Sequence, residues 1–91
     1  MIIVSYDIAD NKLRTKFAKF LKKFGHRLQY SVFEIDNSDR FLDVIASEIE
    51  EGYGKKFGEM DSVIVFKFNA SCDIIRYGYA RHDNEDILIV Q

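Results

Sequence analysis

Two carboxylates stand at the end of a short apolar run near the start of the chain. Residues 2–6 are β-branched or aromatic apart from one serine, and such a composition predicts a buried strand. Because Asp7 follows this run directly, its carboxylate is expected at the rim of a sheet, where water has access. A helical pattern follows, and either Asp10 or Asn11 is expected to cap the helix. Of all the residues in the chain, Asp7 has the strongest claim to catalysis.

The chemistry that suits Asp7 is the binding of a hard cation. Mg²⁺ takes oxygen ligands and retains several waters, so one or two protein carboxylates suffice. A single Asp7 would make a poor site, whereas two copies facing each other across a dimer axis would repel until a cation entered between them. Such a metal generates hydroxide and stabilises charge on a phosphate in transfer. From the residues alone, a metal-binding role for Asp7 is as well supported as a role in a turn or a helix cap.

A strongly basic segment follows the two carboxylates. Residues 11–27 contain seven lysines and arginines and no acid. A solubility helix normally interleaves both signs, so this segment is expected to face phosphates, with a solvated flank as the alternative. Residues 34–51 carry seven acids against one base, which would suit a basic protein partner. Four lysines fall on one arc of the helix and form the predicted lysine ridge: Lys12, Lys16, Lys19 and Lys23.

The order of the predicted elements indicates a ferredoxin-like α/β sandwich, β-α-β-β-α-β, with one or two extra strands at the C-terminal end. The first helix is expected to run to Phe24, with Gly25 as its stop signal. Residues 26–35 form either one long strand or two short ones with a kink near Tyr30 and Ser31. The other predicted elements are a second helix over 39–51, a loop over 52–60, a turn over 69–73, strands over 62–68 and 74–79, and an apolar last segment over 87–90.

Both helices of this fold are expected on one face of the sheet, which leaves the other face bare. A bare apolar face in so small a chain needs a cover, so a two-fold homodimer is predicted. Residues 1–80 are assigned to the ferredoxin-like domain. Residues 81–91 are assigned to a tail or strand that packs on the dimer or on a partner protein.

The composition indicates the cellular compartment, and the absence of certain motifs excludes several kinds of site. The 91 residues suit one domain, and the one cysteine, Cys72, excludes an internal disulfide and fits a reducing compartment. The first apolar run has no basic segment before it and is too short to cross a membrane, so a cytoplasmic protein without a membrane partner is expected. The sequence contains no glycine-rich phosphate loop, no pair of cysteines and no cluster of histidines.

The combined motifs resemble those of the small CRISPR-associated endoribonuclease family, Cas2, over roughly residues 1–70. They are Tyr6-Asp7-Ile8, Asp10, Arg14 and Lys16 in a basic helix, Gly25, and Arg27-x-Gln29-x-Ser31-Val32-Phe33. The resemblance implies a ferredoxin-like homodimer with Mg²⁺ between the paired Asp7 side chains. It also implies cleavage of phosphodiester bonds in RNA or duplex DNA, with duplex DNA and single-stranded RNA as the candidate nucleic-acid partners.

The resemblance further implies residue roles and partners. The functional positions of the family carry over to Tyr6, Asp7, Arg14, Lys16, Arg27 and Phe33. Asp7 would be the catalytic and metal-binding residue, the basic residues and the tyrosine would contact nucleic acid, and Asp10, Ser31 and Phe33 would support the site. In the family, the dimer bridges two integrase dimers and holds duplex DNA during spacer acquisition for antiviral defence. A toxin-like metal-dependent ribonuclease without an integrase partner is the alternative.

Overall fold

The computed structural model describes residues 1–36, 38–68 and 72–79, and only the backbone of residues 38, 39 and 72. Its five strands form one antiparallel sheet in the order β2-β3-β1-β4-β5. This is the predicted ferredoxin-like arrangement, with β5 added beside β4. The elements are β1 (Ile2–Asp7), α1 (Asn11–Leu21), β2 (Gly25–Gln29), β3 (Val32–Ile35), α2 (Ser38–Glu51), a short 3₁₀ helix (Tyr53–Lys56), β4 (Ser62–Phe68) and β5 (Cys72–Gly78).

One face of the sheet carries the hydrophobic core. Successive side chains of a strand point to opposite faces, and in β1 it is Ile2, Val4 and Tyr6 that are buried. The apolar sides of both helices belong to the same buried cluster as these β1 side chains, so both helices cover this face. Complete burial of Phe17 alone contributes about 1.5–3 kcal/mol. We call the opposite surface of the sheet the helix-free face.

The first helix is shorter than predicted and ends at Leu21. Its start is capped as expected, because Oδ2 of Asp10 accepts a hydrogen bond of 2.8 Å from the backbone N–H of Leu13. At its end, the backbone N–H groups of residues 23 and 24 donate to carbonyls three residues back, which tightens the chain into a turn. The predicted extension to Phe24 is therefore wrong.

Gly25 begins β2 and does not end the helix. The backbone at Gly25 lies so close to β3 that a Cβ atom would collide with the carbonyl oxygen of Glu34. The glycine is thus required by strand pairing, and the prediction of a stop signal was wrong about its role.

The segment after Gly25 forms two short strands, which settles the alternative left open by the sequence. Strands β2 and β3 make an antiparallel hairpin whose turn contains Tyr30 and Ser31. This turn lies beside β1, because the backbone N–H of Tyr6 donates to the Ser31 carbonyl at 3.0 Å. The turn therefore lies at the end of the sheet where β1 finishes.

The C-terminal half departs from the prediction in detail. The predicted loop over 52–60 contains the 3₁₀ helix. Strand β4 spans the predicted residues, whereas β5 begins at Cys72, so Asp73 lies in a strand and not in the predicted turn. The predicted tail over 81–91, with its apolar segment over 87–90, lies outside the described residues.

No helix within the described ranges combines the length and the apolar character needed to span a membrane. The expected cytoplasmic location stays a prediction.

Candidate active site and basic groove

Asp7 is the last residue of β1, one residue beyond the predicted end of the strand. Its backbone pairs with Ser62 of β4, and strand alternation directs its side chain to the helix-free face, opposite to that of Tyr6. Asp7 is exposed, and within the described ranges its carboxylate makes no hydrogen bond or ion pair. Both carboxylate oxygens are therefore available to an external cation, and the strand fixes the direction in which they point.

The donor set around Asp7 fits Mg²⁺ only as a site shared between chains. Among the residues that the structure describes, no group of three or more histidines, cysteines or acids could hold a metal ion. One carboxylate is a weak anchor, but two facing Asp7 side chains would supply two oxygen ligands and leave the remaining positions to water.

A buried carboxylate that the sequence analysis did not select holds the loop after Asp7. Asp61 is 5% exposed. Its Oδ1 accepts a hydrogen bond of 3.0 Å from the Ala9 backbone N–H, and its Oδ2 accepts one of 2.8 Å from that of Gly58. The carbonyl of Asp61 also accepts a hydrogen bond of 2.8 Å from the backbone N–H of Tyr79. One residue thus ties the β1–α1 loop to the start of β4 and the end of β5.

Arg14 braces the same loop from the side of the helix. Its Nη1 donates to the Ile8 carbonyl at 2.9 Å and to the Ala9 carbonyl at 3.1 Å, while Nη2 contacts Oδ1 of Asn11. Part of the guanidinium is therefore used in holding the backbone. An arginine that the family resemblance assigns to nucleic acid also has a structural role here.

Four of the predicted nucleic-acid-binding residues line one groove. It has a volume of about 360 Å³ and lies between α1 and the β2–β3 hairpin. No acid is found among the described residues that line it, and four of them are cations. We call it the basic groove, and its lining comprises the predicted Tyr6, Arg14, Lys19 and Arg27, together with Thr15, Ala18, Lys22 and Tyr30.

The floor of the basic groove is joined to the core by stacked side chains. The guanidinium carbon of Arg27 lies 5.2 Å from the centre of the Phe33 ring, a cation–π contact worth about 0.5–1 kcal/mol at an exposed position. Phe33 is fully buried and stacks on Tyr6 with ring centres 6.2 Å apart. Tyr6 in turn packs its ring against Phe17 at 5.2 Å. Arg27 is thereby fixed relative to the strand that ends in Asp7.

The predicted lysine ridge borders two cavities, one on each side of it. Lys19 lines the basic groove, whereas Lys12 and Lys16 line a separate cavity of about 540 Å³. That second cavity contains a third lysine, Lys56, and three acids: Asp10, Glu59 and Asp61. Lys23 lines neither of these two cavities. The ridge therefore separates two cavities whose linings differ in charge.

Comparison with known proteins identifies the family. Residues 1–74 match the family profile described as CRISPR associated protein Cas2. The chain belongs to the Cas2 family. The family resemblance that the motifs carried is thus confirmed.

Several curated relatives carry the same family name. A CRISPR-associated endoribonuclease Cas2 of Rhodospirillum rubrum is 34% identical over 74 residues, which cover 81% of this chain and 57% of the relative. One of Mycobacterium tuberculosis is 31% identical over 81 residues, covering 88% of this chain and 67% of the relative. One of Synechocystis is 47% identical over 53 residues, covering 58% of each. This Cas2 chain therefore spans between about half and two thirds of these relatives' lengths.

Proposed function

We propose that the protein is a CRISPR adaptation subunit that acts as a homodimer and cleaves phosphodiester bonds at a Mg²⁺ site shared by two Asp7 residues. The observation that carries the proposal is the position of Asp7, whose solvated carboxylate has no partner among the described residues and lies at the end of a paired strand. Membership of the Cas2 family supports it, and the relatives are named endoribonucleases.

The helix-free face supports the proposed dimer. Ile3, Phe66 and Ile74 are neighbours across three strands of this face and are half-buried. Stacking two such faces about a two-fold axis would bury this apolar row against its copy, since a two-fold interface uses the same patch twice. Asp7 projects from the same face, so this arrangement would direct both carboxylates towards the axis.

Each part of the site would have a separate task in hydrolysis. Asp7 would hold the cation from a direction fixed by its pairing with Ser62. Asp61 and Arg14 would keep the following loop in place. The basic groove would bind phosphates on either side of the cleaved bond. When bound, Mg²⁺ supplies Lewis-acid stabilisation of the phosphate and an activated water.

The proposal includes a structural role with duplex DNA and an integrase. Lysines line cavities on both sides of α1, so this helix offers cations to a phosphate backbone over a wide surface. The exposed side of α2 carries Asp43, Glu48 and Glu50, and its negative charge would suit a basic surface of the integrase. The toxin-like alternative lacks this partner.

The substitution Asp7→Asn tests the nuclease centre. It removes the charge that binds Mg²⁺ but keeps the shape of an exposed side chain, so cleavage of RNA should fall by about a hundredfold or more with the melting temperature unchanged. Glu59→Gln is the matched control, because Glu59 is an exposed acid in the neighbouring cavity. Equal cleavage by Asp7→Asn and the parent would place the activity elsewhere.

Mixing chains tests whether the centre is shared. When parent and Asp7→Asn chains are unfolded together and refolded in equal amounts, a shared centre leaves about a quarter of the activity, since only parental dimers are intact. A centre contained in one chain would leave about half.

Reconstitution with an integrase and a short duplex tests the structural role. Asp7→Asn should assemble and support strand transfer like the parent, because this role needs the surface and not the metal. A protein that forms no complex with the integrase, yet cleaves RNA, would favour the toxin-like alternative.

A further inference from the structure

We propose that the basic groove is a subsite for an unpaired nucleotide, in which Tyr30 stacks on a base and Lys19 and Lys22 bind the adjacent phosphates. The inference rests on the proposed nuclease function at Asp7 and locates on this chain a contact for one nucleotide near the cleaved bond. It assigns a role to Tyr30 and Lys22, which the sequence analysis left without one.

Tyr30 presents its ring to solvent at the groove. It is 69% exposed, lies in the turn between β2 and β3, and contributes to the groove lining. Within the described ranges, no other aromatic ring stacks on it, in contrast to the connected stack of Tyr6 and Phe33 beneath. An exposed ring beside cations is the usual platform for an unpaired base, and each such stack is worth about 1–3 kcal/mol.

The cations of the groove divide into those held by the protein and those left for a ligand. Arg14 donates to backbone carbonyls, and Arg27 lies over Phe33. Lys19 and Lys22 are exposed, and their side chains make no hydrogen bond or ion pair with the rest of the described chain. Lys22 also occupies the C-cap of α1, on the side of the helix that faces the hairpin. The groove therefore has a fixed base and two adjustable cations for phosphate oxygens.

A hydrogen bond holds the turn of the groove beside the residue that precedes the candidate catalytic Asp7. The backbone N–H of Tyr6 donates to the Ser31 carbonyl at 3.0 Å, so the turn that carries Tyr30 lies against the residue before Asp7. Tyr6 and Asp7 point to opposite faces of the sheet, so a nucleic acid in contact with both must cross the rim between them. A single strand has the flexibility for this path. The bases of a duplex are stacked on one another, and their faces are closed to Tyr30.

Binding measured without metal tests the subsite separately from the nuclease. The full chain is titrated in EDTA against a fluorescent RNA of mixed sequence without self-complementarity, and against the same RNA annealed to its complement. Tyr30→Ala and Tyr30→Leu should weaken binding of the single strand about tenfold. Tyr30→Phe should bind like the parent, because it keeps the ring. All three variants should bind the duplex within about twofold of the parent, since a duplex contacts the groove through phosphates alone.

Lys22→Gln tests the phosphate part of the subsite. The substitution should weaken the binding of both the single-stranded and the duplex RNA. For the single strand, it should reduce the magnitude of the slope of log affinity against log salt by about 0.7.

The outcomes separate stacking from other roles of the ring. Equal loss of single-strand and duplex binding in Tyr30→Ala, or full retention by Tyr30→Leu, would overturn the stacking role. An unchanged salt slope in Lys22→Gln would overturn the phosphate role. Because EDTA prevents cleavage, these results do not depend on whether Asp7 binds Mg²⁺, and a failure of the metal centre in Asp7→Asn would leave them unaffected.

Discussion

At the scale of single residues, two carboxylates near the end of β1 behave in opposite ways. Asp7 is exposed and its carboxylate has no partner in the part of the chain that the structure describes, whereas Asp61 is buried and accepts a hydrogen bond on each carboxylate oxygen. The first arrangement leaves a charge available to a ligand, and the second uses a charge to hold backbone. The proposed chemistry of Asp7 therefore depends on the position that Asp61 gives to the adjoining loop.

The substitution Asp61→Asn tests this dependence. Its amide group can accept only one of the two hydrogen bonds, since the NH₂ group would face the backbone N–H of Ala9 or of Gly58. Leaving a buried donor unsatisfied costs about 1–3 kcal/mol, so the urea midpoint should fall. Cleavage per folded molecule should fall as well, with a larger effect on kcat than on KM. Glu59→Gln, an exposed acid nearby, should change neither, and an Asp61→Asn variant with parental stability would contradict the role.

Two partly buried tyrosines make the stability of the protein depend on pH in the alkaline range. Burial raises the pKa of Tyr53 above its ordinary value of 10.0, and the charge of Glu48 raises it further. Burial and then Glu50 raise the pKa of Tyr77 in the same direction. Because each pKa is higher in the folded state than in the unfolded state, the folded state keeps the proton longer. The contribution of each tyrosine to the free energy of unfolding is therefore fully present below pH 10.0, the ordinary pKa, and is lost as pH rises through the folded-state pKa.

The substitution Tyr53→Phe tests this pH dependence. The phenylalanine ring keeps the contacts with Phe17 and Phe20, whose ring centres lie 5.1 and 5.2 Å away, and it has no proton to lose. The free energy of unfolding of the variant should therefore decline less steeply above pH 10.0 than that of the parent. The free energy of unfolding is measured by chemical denaturation at a series of pH values. If it declines equally with pH in the two proteins, Tyr53 does not contribute to the pH dependence.

At the scale of elements, local patterns predicted the strands better than the surfaces. Alternation identified β4 to the residue, because Val63 and Val65 are buried in the core and the side chains beside them are not. The apolar period of α1 continued to Phe24, whose ring does pack on the core, but the chain had already turned to bring Gly25 against β3. Helix periodicity cannot detect this close approach of two backbones.

The candidate site was predictable only in part for a similar reason. Asp7 was identifiable because it directly follows an apolar run. The role of Asp61 was not, because its carboxylate meets Ala9, which lies 52 positions earlier in the chain. Tyr30 likewise joins the basic groove only because the hairpin folds back beside α1. A helical projection also places lysines around one axis without showing what packs on either side, so it could not show that the ridge borders two cavities of different charge.

The division of α1 into two sides predicts two kinds of lysine. Lys19→Ala and Lys22→Ala each remove a cation from the basic groove. Each should weaken the binding of single-stranded RNA and reduce the magnitude of the slope of log affinity against log salt by about 0.7. Lys12→Ala and Lys16→Ala alter the cavity that also contains three acids, and should leave single-strand binding close to that of the parent. Anisotropy titrations over a range of salt concentrations measure both. Four equal slopes would restore the single ridge that the sequence predicted.

At the scale of the whole molecule, the sheet separates two proposed tasks. Nucleic-acid binding is assigned to the side covered by helices, where the basic groove lies. Metal binding and self-association are assigned to the helix-free face, from which Asp7 and the row of Ile3, Phe66 and Ile74 project. A change on one face should therefore impair one task and spare the other.

The substitution Phe66→Glu tests this separation. Phe66 is half-buried at the centre of the apolar row. A stacked dimer would have to bury the introduced charge, which is unfavourable. The variant should therefore be monomeric, as measured by light scattering. A monomer has one Asp7 and should lose Mg²⁺-dependent cleavage, yet its basic groove is intact and should bind single-stranded RNA like the parent. Val44→Glu is the control, since Val44 is 42% exposed on α2 and a charge there stays in water. If Phe66→Glu forms monomers that still cleave RNA at the parental rate, a single carboxylate suffices and the shared metal site is wrong.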